Sequence, residues 1–173
     1  VFIRHGVEQN PETSFIEAIA SLKSTKKNPF TGKTLIKNII ENIEPQEFIG
    51  LNNGDLLKLF SLDESKIEIT DSVELKLFRW CAEYPDFFYF FINKKIDINP
   101  SSLKTQLETL KKQNKYRQFI NIVAAFENFK KYCGDMNIPK DPIIFRELLS
   151  NKNDWFFKKG LNILIFEKIV KQK

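Results

Sequence analysis

Apolar residues recur at three- and four-residue spacing along most of this chain, the pattern of amphipathic helices. Asn10-Pro11-Glu12 reads as a helix start, since Asn10 suits the cap and Pro11 the first helical position. Phe15, Ile16, Ile19, Ala20 and Leu22 then carry that helix to about Leu22. After a polar loop from Ser24 to Gly32, Leu35, Ile36, Ile39, Ile40 and Ile43 form the stripe of a helix over Lys33 to Ile43. Pro45-Gln46-Glu47 opens a short helical turn, and Asn52-Asn53-Gly54 is a turn leading through Asp55 into a helix ending near Phe60.

The segment Ser61 to Thr70 is polar, with Ile67 and Ile69 alternating as in a short strand. Asp71-Ser72 caps the next helix, which Pro85 interrupts, because the residue before a proline avoids the helical region. Phe87 to Phe91 is aromatic on every side and predicts a fully buried helix. Asn99-Pro100 and Asp141-Pro142 are two further starts, the first leading to Leu103, Leu107 and Leu110 and the second to Ile143, Ile144, Phe145, Leu148 and Leu149. Between them a helix spans about Tyr116 to Tyr132 and stops before Gly134. Val1 to Ile3 and Leu161 to Val170 read as strands. The predicted fold class is therefore mainly α: an irregular multi-helix domain with one or two short strands near the termini. The 173 residues suit one helical domain or sub-domain, or two small ones sharing an interface. The start at Val1, without methionine, reads as a cut from a larger protein.

Composition adds few constraints. The apolar fraction of 42% is that of a globular protein. The 17 phenylalanines, with frequent Lys, Asn and Ile, reflect AT-rich codons. Two distant cysteines, Cys81 and Cys133, and one histidine are too few for a structural zinc, and the cysteines read as reduced core residues of an intracellular protein. No apolar run approaches the roughly 20 residues of a membrane span.

Net charge is +5, unevenly placed. Acids dominate from Glu41 to Asp86. From Lys104 to Lys131 the bases Lys104, Lys111, Lys112, Lys115, Arg117, Lys130 and Lys131 face only Glu108 and Glu127. Such a face suits phosphate contacts, with Lys111, Lys112, Lys115, Arg117, Lys130 and Lys131 as the candidate nucleic-acid ligands. Trp80, Phe87, Phe88 and Phe91 are the candidate partner interface, since aromatic residues dominate interface hot spots.

The catalytic candidates are weak. Gly32-Lys33-Thr34 matches the end of a phosphate-binding loop, but Lys27 stands where that pattern requires glycine. Glu64-Ser65-Lys66 and Glu167-Lys168 lack the partner carboxylates of a metal-dependent nuclease. His5 has no neighbouring nucleophile or carboxylate that would make it a general base. No catalytic residue, cofactor or metal is expected.

Several stretches resemble one family. They are Phe2-Ile3-Arg4-His5-Gly6-Val7-Glu8-Gln9-Asn10 followed by Ser14-Phe15-Ile16-Glu17-Ala18-Ile19-Ala20, then Asn42-Ile43-Glu44-Pro45-Gln46-Glu47-Phe48-Ile49 with Leu51-Asn52-Asn53-Gly54-Asp55-Leu56. Phe126-Glu127-Asn128-Phe129-Lys130-Lys131-Tyr132 and Gly160-Leu161-Asn162-Ile163-Leu164-Ile165-Phe166-Glu167 complete the set. Together they resemble the large subunit of the viral early transcription factor of nucleocytoplasmic large DNA viruses. The family pattern has an aspartate–tryptophan pair before the last of these; Asp154-Trp155 stands there with different flanking residues.

The resemblance implies a non-enzymatic module of a transcription initiation factor. Its implied partners are promoter DNA, the viral RNA polymerase and a helicase-like sister subunit that carries the ATPase, with no membrane and no small-molecule substrate. It implies a location in the virion and the host cytoplasm. The alternative is a structural or assembly protein packaged in a large virus particle, and a third reading is a divergent nuclease.

Overall fold

The computed structural model describes residues 10, 12–93, 99–113 and 115–164. The described chain is mainly helical and contains no strand. Its contacts group into two compact units, one formed by Val1–Asn42 with Cys133–Lys173 and the other by Ile43–Tyr132.

In the first unit, α1 (Ser14–Ser21) packs against α2 (Gly32–Asn42). The Asn10 side chain accepts from the Glu12 and Thr13 N–H groups at 2.8 and 3.3 Å, so it closes a turn and the regular helix begins one turn later than its sequence signal. Ile16, Ile19 and Ala20 of α1 and Leu35, Ile36 and Ile39 of α2 are buried, as the spacing predicts.

The second unit opens with α3 (Pro45–Gly50) and α4 (Asp55–Phe60). Between them Asn52, Asn53 and Gly54 all have positive φ, with Gly54 at +85°. Three left-handed residues in succession demand Asn or Gly, which is what the turn contains. α5 (Asp71–Glu83) is capped by Thr70, whose hydroxyl accepts from Val73 N at 3.4 Å, one residue ahead of the predicted cap. Tyr84 breaks the helix and α6 (Pro85–Ile92) restarts at the proline. α7 (Pro100–Lys112) and the long α8 (Tyr116–Gly134) follow, the latter passing into the first unit at its last two residues.

Phe119, Phe126 and Phe129 of α8 are fully buried and form the spine of the second unit's core. Phe126 and Phe129 meet Phe48 at ring separations of 5.6 and 5.2 Å, and Phe119 meets Phe88 and Phe91 at 5.4 and 4.9 Å. Trp80 stands edge-on to Phe87, Phe119 and Phe126. On the same helix, Asn121 clamps the extended chain leaving α4: its amide oxygen accepts from Leu62 N at 2.7 Å and its amide nitrogen donates to Leu62 O at 3.2 Å. Asn128, two turns on, donates to Phe60 O at 3.1 Å.

α9 (Pro142–Ser150) belongs to the first unit and buries Ile144, Phe145, Leu148 and Leu149. The preceding loop is held by Lys140, itself buried, whose ammonium donates to the Asp135 and Ile138 carbonyls. Burial holds that ammonium below the ordinary lysine pKa. After α9 the chain closes a compact loop. Asn153 accepts from the Phe156 and Phe157 N–H groups at 2.7 and 3.1 Å, and Leu161 N donates back to Ser150 O at 3.1 Å.

Three expectations need correcting. The Ile67–Ile69 segment follows a 3-10 turn (Glu64–Lys66) and makes no strand. Its alternation is nonetheless real, since Ile67 is buried and Ile69 exposed. Residues 161–164 are likewise not a strand, and Leu164 is 79% exposed. A strand needs a partner strand to exchange hydrogen bonds along its length, and neither segment pairs with one among the described residues. Val1–Ile3 and residues 165–170 lie outside the described residues. The Phe87–Phe91 helix is one-sided: Phe87 and Phe88 are buried, while Phe90 is exposed.

Candidate nucleic-acid interface

The six basic side chains singled out for phosphate contact divide into two groups. Lys111 is committed at the end of α7. Its ammonium meets Glu74 of α5 at 2.6 Å and Glu108 at 2.9 Å, and lies 5.3 Å from the centre of the Tyr116 ring. The Glu74 hydrogen bond, then that of Glu108, raises its pKa, and the bond to Lys111 in turn lowers that of Glu108. Arg117 donates to the Glu64 carbonyl at 3.2 Å. Lys130 donates to the Tyr84 hydroxyl at 3.1 Å and sits over the Phe126 ring at 5.1 Å. Its charge is half-buried against aromatic faces, a cation–π seat rather than a surface cation. Burial, followed by the Glu83 side chain, raises the Tyr84 phenol.

Lys112, Lys115 and Lys131 form the second group; all three are exposed. Lys112 and Lys115 flank the α7–α8 turn, whereas Lys131 lies 16 residues further on. At ~1.5 Å per helical residue the two positions are about 24 Å apart along α8. Hence the exposed cations of the basic run are Lys104 on α7, Lys112, Lys115 and Arg117 around the α7–α8 turn, and Lys131 far along α8, rather than a continuous stripe.

The aromatic candidates are interior. Trp80, Phe87 and Phe88 are buried in the second unit, and Phe91 is half-buried against Phe119. The Trp80 indole N–H is buried with no acceptor among the described residues. Phe90, part of the same aromatic run but not among the four candidates, is 56% exposed.

Gly32-Lys33-Thr34 is the first turn of α2, with the Thr31 hydroxyl accepting from Thr34 N at 3.2 Å. The Gly32 N–H donates to the Glu17 carboxylate at 2.8 Å. The place where a phosphate would sit on this helix N-terminus is thus filled by an internal carboxylate, which also explains why a glycine stands there: a Cβ would lie 2.6 Å from Glu17 Oε1. Among the described residues no group of three or more His, Cys, Asp or Glu side chains is placed to hold a metal ion. No described helix is long and apolar enough to cross a membrane. His5 and Glu167 lie outside the described residues.

The chain has no match among protein-family models, curated proteins or solved structures.

One cluster escaped the sequence reading. In the first unit, Phe30 stacks on Phe156 with centroids 5.7 Å apart and planes 26° apart, and Trp155 lies 6.1 Å from Phe156, also at 26°. Phe157 meets Phe156 edge-on at 4.3 Å. The Lys23 ammonium donates to the Trp155 carbonyl at 3.3 Å and lies 5.1 and 5.4 Å from the Phe30 and Phe156 ring centres. Phe156 is buried, while Phe30 and Trp155 remain half-buried. The only sequence hint was the presence of lysines and aromatic residues in two segments more than a hundred residues apart.

Proposed function

We propose that this chain is a non-enzymatic module of an early transcription initiation factor of a large DNA virus. It contacts promoter duplex DNA and docks with the viral RNA polymerase or a helicase-like sister subunit. The resemblance of its sequence segments to that family supplies the role. The observation that carries the DNA contact is the exposed pair Lys112 and Lys115 at the α7–α8 turn. Exposed lysines pair with phosphates and give affinity without sequence preference. Lys111 and Arg117 make contacts within the fold beside that turn, and Lys130 does so far along α8.

The test is charge reversal at the exposed pair, read by duplex DNA affinity across a salt series. Removing the lysine partner of one phosphate makes the log–log salt dependence shallower by about 0.9. The double variant Lys112→Glu/Lys115→Glu is therefore expected to bind more weakly, with a slope shallower by roughly 1.8. Lys130→Gln is expected to leave that slope unchanged. An unchanged affinity and slope in the double variant would remove this turn from the DNA contact.

The competing reading, a structural or assembly protein packaged in a virus particle, needs no DNA contact. Copy number separates the two: a structural component is abundant and stoichiometric in particles, a transcription factor scarce.

A further inference from the structure

We infer that the aromatic stack of the first unit is a platform for single-stranded nucleic acid. This goes beyond the duplex contact proposed above and stands on other residues in the other unit.

Three observations carry it. The first is the stack itself. Buried Phe156 packs between Phe30 and Trp155, each ring tilted 26° from its own and each residue left half-buried. Unpaired bases stack on such rings irrespective of sequence, because every base has a π-face. Bases inside a duplex are already stacked and do not offer those faces.

The second is charge. The segment 23–31 contains Lys23, Lys26 and Lys27 and no acid, and the segment 151–160 contains Lys152, Lys158 and Lys159 against the single carboxylate of Asp154. All six lysines are exposed. A flexible backbone of phosphates is the polyanion that complements exposed cations in the two segments that carry the aromatic centre. A neutral or cationic protein surface would gain nothing from them.

The third is preorganisation. Lys23 ties the two segments together through the Trp155 carbonyl, and Ser24 accepts from Phe30 N at 2.9 Å. Asn153 fixes the backbone beneath Phe156 and Phe157. The rings are held before any ligand arrives, so little ordering remains to oppose binding.

The experiment measures binding of the whole chain to a dye-labelled oligothymidine strand of about twelve nucleotides, enough for a single site of this kind. The same sequence as duplex and a polyglutamate peptide serve as comparisons. Trp155→Ala is expected to weaken the single strand about tenfold, the loss of one stacked base. Duplex affinity is expected to stay within about twofold, since duplex contact runs mainly through phosphates. Trp155→Phe, which keeps a ring, is expected to retain most of the single-strand affinity. Lys26→Glu/Lys27→Glu is expected to make the single-strand salt slope shallower by roughly 1.4, at ~0.7 per phosphate on a single strand.

Trp155 also reports directly: the strand should quench tryptophan fluorescence in the native protein and much less in Trp155→Phe, where only Trp80 remains. Thermal melts of both variants establish that they fold. The inference is overturned if folded Trp155→Ala binds the strand as tightly as the native chain. It is equally overturned if no quenching belongs to Trp155, or if polyglutamate binds as well as the strand. A loss of duplex binding alone, on charge reversal at Lys112 and Lys115, bears on the duplex reading and leaves this one standing.

Discussion

Alanine at Gly160 and alanine at Gly50 add the same methyl group to two backbones that demand opposite results. Gly160 has φ of +74°, where an L-residue is strained, and a Cβ there would collide with the Ser150 carbonyl oxygen. That same oxygen accepts the Leu161 N–H at 3.1 Å, the bond that closes the loop after α9. Forcing left-handed geometry on alanine costs about 1–2 kcal/mol. Displacing the loop forfeits a hydrogen bond worth about 1 kcal/mol. Gly160→Ala is therefore expected to destabilise the first unit by roughly 2–3 kcal/mol.

Gly50 has φ of −85° and ψ of −20°, ordinary helical values, and nothing lies within 4 Å of a Cβ built there. Alanine at that position narrows the unfolded ensemble at no cost to the fold, and Gly50→Ala is expected to stabilise by about 0.4–1 kcal/mol. Equilibrium urea unfolding measures both. Far-UV ellipticity and tryptophan fluorescence are followed together, because Trp155 reports on the first unit and Trp80 on the second. The reasoning is refuted if Gly160→Ala stays within about 0.5 kcal/mol of the native chain, the range of a neutral surface change. It is refuted equally if Gly50→Ala proves the more damaging of the two.

Two further outcomes follow from the interior of the second unit. Asn121→Ala leaves the Leu62 N–H and carbonyl without their partner and is expected to cost about 2–3 kcal/mol in urea unfolding; a loss under 0.5 kcal/mol would mean that the clamp is dispensable. Cys81 is buried, and desolvation pushes its thiol up from 9.0 to about 12, so folding holds a proton that the unfolded chain releases. That contribution is fully present below pH 9 and is lost as pH rises from about 9 toward 12, at up to ~1.4 kcal/mol per pH unit. Between pH 8 and 10 the native chain is thus expected to lose about 1 kcal/mol more than Cys81→Ala does; parallel stability-versus-pH curves would contradict it.

What the sequence disclosed was local. Asn99 accepts from Ser102 N at 2.8 Å and Asp141 from Ile143 N at 2.8 Å, so both caps were legible, each bonding within three residues of itself. Pro85 likewise broke the helix where its sterics require. The stripes Leu103, Leu107 and Leu110, and Ile144, Phe145, Leu148 and Leu149, were legible because periodicity alone sets a helix's buried face.

The site was less legible because its chemistry depends on distant partners. Lys111 reads as a free cation until Glu74, on another helix, is brought against it. Lys130 looks like Lys131, its neighbour, yet one is seated on Tyr84 and Phe126 and the other is exposed. Asn121 and Asn128 looked like ordinary polar residues on a helix, and their partners lie 59 and 68 residues earlier. Lys23 finds the Trp155 carbonyl 132 residues away. Local propensity carries no information about such pairings.

The central claim, that this module contacts promoter duplex DNA, is tested most directly by titrating the chain against AT-rich duplex DNA across a salt series. The account predicts binding at micromolar or tighter affinity at low salt, falling steeply as salt rises, with a log–log slope of about −2 or steeper for two or more phosphate contacts. No binding at low salt would contradict it and would leave docking with protein partners as the role of the second unit.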